Sequence, residues 1–192
     1  TVGGIAGCGH EINDASVIAS IKGNNYVGGI SGKDSSITNS TFEGYVKGTS
    51  YVGGVSGWVK IIKKSNSKGT IEGNSSNIGG VTGSANIIDS VYHVNGFVQG
   101  LNYVGGIAGS VWESINGSYH KNGMVKGTSY VGGAIGKNSG SVENIFSEAD
   151  VEGENFVGGL IGQSYLSAQS YSPYTITSIS KSHSIGNVIG KN

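Results

Sequence analysis

Aliphatic and glycine positions recur along this chain with a period of 25 to 27 residues. They lie inside a short phrase close to Tyr-Val-Gly-Gly-Ile-Ser-Gly, and stretches rich in Asn, Ser and Thr separate successive phrases. The phrase occurs at Thr1–Gly7, Tyr26–Gly32, Tyr51–Gly57, Asn77–Gly83, Tyr103–Gly109, Tyr130–Gly136 and Phe156–Gly162. A fixed period of this length is typical of stacked structural repeats. We therefore predict that each period forms one coil of a solenoid.

Alignment of the seven coils shows four columns that stay aliphatic throughout. The columns are Val2, Val27, Val52, Ile78, Val104, Val131 and Val157; Ile5, Ile30, Val55, Val81, Ile107, Ala134 and Leu160; Ile12, Ile37, Ile62, Ile87, Ile115, Val142 and Ile179; and Ile21, Val46, Ile71, Val98, Val125, Val151 and Val188. A fifth column holds mostly small side chains, at Ala15, Ser40, Ser65, Ser90, Ser118, Ile145 and Ser182. The aliphatic columns predict inward-facing ladders, and the small column predicts a tight corner.

Three short strands are predicted in each coil. The first carries Val-Gly-Gly-Ile, the second surrounds the third aliphatic column as in Ser36–Phe42, and the third is Gly-x-Val-x-Gly as in Gly44–Gly48. Alternation places Val46 inward and both Tyr45 and Lys47 outward. The predicted fold class is all-β, a right-handed parallel β-helix of seven coils, because parallel crossovers are right-handed.

The repeat covers residues 1–192 as a single β-solenoid segment. One irregularity is predicted at 163–174, an insertion in the last coil that contains Pro173, the only proline. Insertions in solenoids leave as loops on one side of the stack. The first and last residues both fall on repeat boundaries, so we expect the segment to belong to a longer protein.

Composition and charge exclude several classes of function. The 192 residues include 36 glycines, and 12 lysines balance 12 acidic residues without any arginine. A neutral chain without arginine is a poor partner for nucleic acid. No apolar run is long enough to predict membrane insertion. Cys8 is the only cysteine, which rules out an internal disulfide.

The repeat resembles the GLUG motif over the whole chain. The resemblance is carried by Val-Gly-Gly-Ile/Leu-x-Gly, then Ile-x-x-Ser, then Gly-x-Val-x-Gly, and is clear at Phe156–Gly162 and at 142–144. GLUG repeats occur in large bacterial surface and secreted proteins, including adhesin-like proteins and IgA-specific metallo-endopeptidases. The resemblance implies a secreted or cell-wall-associated protein of Gram-positive type. It implies no activity, and the His-Glu-x-x-His motif of the peptidases is absent from this chain.

Three functions are compatible with this resemblance and the residue pattern. The leading hypothesis is a non-catalytic stalk or display segment of a cell-surface protein, with adhesive potential. The alternatives are a non-catalytic domain that positions the substrate of an IgA-type metallopeptidase, and a carbohydrate-binding module. The expected partners are flanking domains of the same chain and a host glycoprotein or carbohydrate. No matched acid and base recur from coil to coil, so no catalytic residue and no cofactor is predicted.

The first position of the phrase is the candidate ligand-facing row. It holds Tyr26, Tyr51, Tyr103, Tyr130 and Phe156. Aromatic residues one strand spacing apart can stack and stabilise the ladder, or they can form a platform for sugar rings. We favour the structural ladder, because Asn77 interrupts the row.

Two histidines occupy nearly the same place in neighbouring coils, as Tyr92-His93 and Tyr119-His120. Two histidines one coil apart could hold a metal together with a third ligand. No third ligand aligns with them, so we predict an exposed polar pair and no metal site.

Alternating acids in the sixth coil suggest either calcium binding or pairing between coils. They are Glu148, Asp150, Glu152 and Glu154. Lys126 aligns with Glu152, and Lys47 aligns with Glu72 in another part of the stack. The sequence therefore favours charge pairing.

The remaining candidates have less support. Cys8 and His10 resemble a nucleophile and base, but no orienting acid accompanies them, so a stray thiol is predicted. Outward apolar residues could form a partner-binding patch, or the insertion or flanking domains could cover them. These residues are Phe97, Met124, Trp58 and Trp112.

Overall fold

The computed structural model describes residues 1–165 and 178–191, and these residues form a right-handed parallel β-solenoid. The described residues contain strands and no helix. Three parallel sheets form the walls, and each strand pairs with its counterpart one coil away. The predicted fold class is confirmed. The stack has about six complete turns, close to the predicted seven, because the first coil joins the first sheet only through the bridge between Val2 and Val27.

Sheet 1 contains the start of each phrase. Its strands are Asn25–Gly28, Ser50–Gly53, Ser76–Gly79, Asn102–Gly105, Ser129–Gly132 and Asn155–Gly158. The strands are short because the phrase turns a corner after its first glycine. Valine or isoleucine at one inward position of each strand favours this extended conformation.

Sheet 2 follows the phrase in every coil. Its strands are Ala6–Cys8, Glu11–Asn13, Ser31–Thr38, Ser56–Lys63, Thr82–Asp89, Ala108–Asn116, Ile135–Asn138, Ser141–Glu143, Ile161–Ser164 and Ile179–Ser180. Gln163 and Ser164, the first residues of the predicted insertion, continue this sheet and pair with Lys137 and Asn138. Residues 166–174 of that insertion lie outside the described residues.

Sheet 3 closes each coil. Its strands are Ser16–Lys22, Thr41–Gly48, Asn66–Gly73, Tyr92–Val94, Phe97–Gln99, Tyr119–Lys126, Phe146–Gly153, His183–Ile185 and Val188–Gly190. The predicted alternation is confirmed in this sheet, since Val46 is fully buried while Tyr45 and Lys47 are partly exposed.

The aliphatic columns form the core, in register from coil to coil. Val27 pairs with Val52, and Val46 pairs with Ile71. Members of all four columns in the middle coils have no more than 1% of their surface exposed. The exception is Ile87, which the sequence analysis assigned to the wrong position. Burial of stacked aliphatic side chains, at roughly 25 cal/mol per Å² of apolar surface, is the main favourable contribution to folding.

Two column assignments in the fourth coil are wrong by one residue. Ile88, and not Ile87, pairs with Ile62 and Ile115. Val91, and not Ser90, occupies the small column, because its N–H donates to Ser118 Oγ at 3.1 Å. Successive residues of a strand point to opposite faces, so a shift of one residue moves a side chain from the core to the surface.

A left-handed residue makes the corner between sheets 2 and 3 in each coil. The residues are Asp14, Asn39, Lys64, Ser90, Gly117, Asn144 and Lys181, with φ between 47° and 58°. This corner divides the predicted strand Ser36–Phe42 into two strands. Ser40 follows the corner, donates to the carbonyl of Thr38 and accepts the N–H of Ala15. Serine is therefore favoured in this column because its hydroxyl hydrogen-bonds backbone groups of the corner.

Candidate functional site

The candidate ligand-facing row has an unusual backbone. Its residues, and the interrupting asparagine, adopt the left-handed conformation: Tyr26, Tyr51, Asn77, Tyr103, Tyr130 and Phe156, with φ between 52° and 63°. This conformation is uncommon for large side chains. Its recurrence in six successive coils shows that the stack imposes it. Hydrophobic periodicity carries no information about φ, so the sequence could not reveal it.

The aromatic rings of this row stack along the solenoid. Ring centroids lie 4.7 Å apart between Tyr26 and Tyr51, and 5.0 Å apart between Tyr103 and Tyr130. Phe156 continues the second stack, at 4.7 Å from Tyr130. The rings thus form the ladder that the sequence favours. Their use as a sugar platform stays a prediction.

Asn77 divides this ladder into two stacks. Its side-chain oxygen accepts a hydrogen bond from Ser110 Oγ at 2.5 Å. Because an asparagine side chain is smaller than a tyrosine ring, the row changes shape in the fourth coil. The face of the Tyr51 ring that points toward the fourth coil therefore has no aromatic ring of this row stacked on it.

A shallow concavity of about 310 Å³ adjoins this interruption. We name it the aromatic notch, and it is lined by Tyr26, Tyr51, Trp58, Ser84, Asn86, Trp112 and Glu113. Trp58 belongs to the third coil, Ser84 pairs with it from the fourth, and Trp112 belongs to the fifth. Because Tyr26 of the second coil also lines it, the notch crosses four coils, and the fourth contributes only small or polar side chains.

Hydrogen bonds hold the notch side chains. The indole N–H of Trp112 donates to Ser84 Oγ at 3.0 Å, and the Asn86 amide donates to Glu113 Oε1 at 2.6 Å. Trp112 still has 44% of its surface exposed. The sequence identified both tryptophans as outward apolar residues, but only the fold shows that they line one concavity.

A lysine lies over each tryptophan. Lys33 Nζ is 5.3 Å from the ring centroid of Trp58, and Lys137 Nζ is 5.6 Å from that of Trp112. Lys137 is also 4.9 Å from the ring of Tyr103. Cation–π contacts of this kind favour one orientation of each ring.

The predicted exposure of the two histidines is wrong. His93 and His120 have none of their surface exposed, and their ring centroids lie 5.1 Å apart inside the solenoid. They share a sixth inward column with Val17, Phe42, Ser67, Ser147 and Ser184. The neighbouring Tyr92 and Tyr119 stack on the other face of the strand at 4.9 Å. Alternation along the strand, and alignment with Phe42, are the signals that would have placed the histidines inside.

One ring nitrogen of each histidine has a partner. His93 Nδ1 lies 2.8 Å from Ser67 Oγ, which itself donates to the carbonyl of Gly80, so the imidazole N–H is the donor. His120 Nδ1 donates to the carbonyl of Gly133 at 3.0 Å. Neither Nε2 has a hydrogen-bond partner among the described residues. Desolvation lowers the pKa of His93 far below its ordinary value and the pKa of His120 to about 4.

A buried carboxylate in the second coil escaped the sequence analysis. Asp34 is 2% exposed and lies in the inward position that Val59 and Ala85 occupy in the next coils. Neither carboxylate oxygen has a hydrogen-bond partner among the described residues. Desolvation raises the pKa of Asp34.

Two acids of the sixth coil pair with lysines of the fifth coil, and the pair of Glu152 with Lys126 is the one that the sequence predicted. Glu152 lies 3.1 Å from Lys126, and Glu148 lies 3.3 Å from Lys121. Lys47 and Glu72 are also paired, at 3.2 Å. Within 1–165 and 178–191, no group of three His, Cys, Asp or Glu side chains is arranged to hold a metal ion.

The other candidates lie apart from the notch. Cys8 is an exposed free thiol in the first coil. Phe97 pairs with Met124 on the outer surface of sheet 3, and Met124 remains exposed. In the part of the chain that the structure describes, no helix is long and apolar enough to cross a membrane.

No protein-family model, no curated protein and no solved structure matches this chain. The resemblance to the GLUG repeat therefore stays a prediction.

Proposed function

We propose that this chain is a non-catalytic stalk segment of a bacterial cell-surface or secreted protein, in which the solenoid acts as a spacer. The observation that carries the proposal is the continuous parallel pairing of sheets 2 and 3 from the first coil to the last, which local register shifts in the fourth and fifth coils do not interrupt. A rise of about 4.8 Å per coil makes length proportional to the number of coils. Such a wall resists bending, because the strands of the middle coils are hydrogen-bonded to neighbours on both sides.

Exposed apolar groups at the end coils support flanking domains as partners. Ile5, Ile179 and Val188 belong to columns that are buried in the middle coils, yet about half or more of each is exposed. Open strand edges with exposed aliphatic side chains favour stacking of more chain onto them. We infer that further coils or domains of the same protein cover these ends.

The spacer role predicts that removing one whole coil shortens the molecule without unfolding it. Spin labels at Cys8 and at a Glu154→Cys variant, both on exposed residues, report the distance along the stack. Deletion of Tyr51–Ser76 removes one period and should shorten the mean distance by about 5 Å. Pulsed electron–electron double resonance measures this distance directly.

A half-coil deletion is the matched control. Removal of residues 64–76 joins sheet 2 of one coil to sheet 1 of another, so the columns lose register and the β signal in circular dichroism should collapse. An unchanged or very broad distance after whole-coil deletion would contradict the spacer role.

An antibody against this segment tests the surface location. It should label intact cells of the encoding organism, and labelling only after lysis would exclude a surface location.

A further inference from the structure

We propose that the aromatic notch is a binding site for a neutral saccharide, with one pyranose ring seated in the concavity that Trp58 and Trp112 line. The notch adjoins the stacked pair of Tyr26 and Tyr51, whose rings cover one another. It is independent of the spacer role, because a solenoid needs no such depression in its wall.

The notch offers an exposed aromatic surface beside polar side chains. Trp112 lies two positions beyond Ser110, the in-register counterpart of Ser84, and its indole N–H reaches back to Ser84 of the fourth coil. Ser84 is only 1% exposed, whereas Trp112 has 44% of its surface exposed and Asn86 is partly exposed. A pyranose ring can therefore pack on the exposed part of Trp112 within the concavity.

The chemistry of the lining matches the two kinds of surface that a sugar presents. The C–H face of a pyranose packs on an aromatic ring, and its hydroxyl groups need fixed donors and acceptors. Asn86 and Glu113 supply amide and carboxylate groups, held together at 2.6 Å. That bond uses one carboxylate oxygen, so the second oxygen of Glu113 is available to accept a sugar hydroxyl.

Charge distinguishes neutral sugars from acidic ones. Among the described residues, the lining contains the carboxylate of Glu113 and no cationic side chain. Lys33 and Lys137 do not line the notch, because they are engaged in contacts with the tryptophan rings. A uronic or sialic acid would place its own carboxylate close to Glu113, and the two like charges would repel each other. The complementary ligand is therefore uncharged.

The proposal is tested with a glycan array that contains neutral and acidic oligosaccharides, probed with the whole 192-residue chain. The best neutral ligand is then titrated in ¹⁵N-resolved NMR. Because the chain has two tryptophans, its spectrum has two indole N–H signals. We expect both signals to shift together, with a dissociation constant in the micromolar to low millimolar range.

Variants separate the notch from other exposed aromatic residues. Trp112→Ala should weaken binding at least tenfold, and Glu113→Gln should weaken it several-fold without loss of the fold. Phe156→Ala is the matched control, since it removes an exposed aromatic residue in a different coil and should leave affinity unchanged. If Trp112→Ala fails to fold, Glu113→Gln and the indole shifts of the unmodified protein decide the question.

Several results would overturn the proposal. They are absence of binding to every neutral glycan at millimolar concentration, preference for acidic glycans, or equal loss of affinity in Phe156→Ala. Concentration-dependent dimerisation that Trp112→Ala abolishes would assign the notch to a contact between two copies of the chain instead. The coil-deletion experiment on the spacer role is unaffected by any of these outcomes.

Discussion

Two histidines occupy positions where a solenoid of this kind otherwise holds aliphatic, aromatic or small side chains. Each keeps one ring nitrogen hydrogen-bonded, His93 to Ser67 and His120 to the carbonyl of Gly133. Each leaves the other nitrogen without a partner among the described residues, which costs free energy in a buried site. The interior therefore accepts neutral imidazole and opposes imidazolium. The consequence at this scale is a dependence of stability on pH.

Acidification is predicted to destabilise the fold between pH 6.5 and about 4. Folding lowers the pKa of His120 from 6.5 to about 4, so the unfolded chain binds the proton first as pH falls through this window. Stability from this group is complete above pH 6.5 and is lost toward pH 4, by about 3 kcal/mol. His93 acts in the same direction. Urea unfolding at several pH values measures the loss.

His120→Phe isolates this effect, because Phe42 already occupies the same column two coils before His93. The variant should lose less stability than the native chain between pH 6.5 and 4. His183→Gln is the control, since it replaces an exposed imidazole. Asp34 contributes a pH dependence of stability with the opposite sign, because its raised pKa makes the fold more stable in acid. Asp34 is present in every variant, so its contribution does not affect the comparison. Equal pH dependence in the native chain and His120→Phe would contradict the assignment.

The Gly-Gly pair is the element that joins sheet 1 to the sixth column. A Cβ on Gly29 would lie 2.1 Å from the ring of Phe42, and one on Gly106 would lie 1.9 Å from the ring of His120. A carbonyl of the next coil is equally close to each second glycine. The pair is thus required because this part of each coil lies close to the backbone of the next coil and to the inward side chains of sheet 3.

Gly54→Ala tests this requirement. Its Cβ would lie 2.3 Å from the carbonyl oxygen of Gly80 and 2.5 Å from the Cβ of Ser67. Since backbone atoms form one of these contacts, the coil itself must shift, and we expect a loss of about 2 kcal/mol in thermal or urea unfolding. Gly190→Ala is the matched control, because no atom lies within 4 Å of its added Cβ. Similar stability of both variants would show that the close approach is not needed.

Hydrophobic periodicity predicted the strands and most columns, because it records which side chains face inward. It placed Val46 and its neighbours correctly, but local runs of similar residues misled it at Ile87 and Ile88, where either isoleucine fits the pattern. It could not predict the left-handed backbone of Tyr51, which results from corner geometry. The notch also required the fold, since Trp58 and Trp112 are 54 positions apart in the sequence.

The whole molecule behaves as a one-dimensional stack. Each coil contacts its two neighbours through three sheets, and the core has no centre that all coils share. A middle coil is therefore covered on both sides, and an end coil on one. Ile21 in the first coil and Ile71 in the third occupy the same column, yet the first is half-buried and the second has no exposed surface.

This difference predicts unequal effects of one substitution at equivalent positions. Ile71→Asp buries a carboxylate between two coils and should destabilise the chain by more than about 4 kcal/mol, enough to prevent folding. Ile21→Asp should cost less than half as much, because the first coil can fray while the others stay paired. Hydrogen exchange should then show lost protection confined to residues of the first coil. Equal global unfolding in both variants would mean that the solenoid folds as one indivisible unit, and its end coils would then be as strongly coupled as its middle.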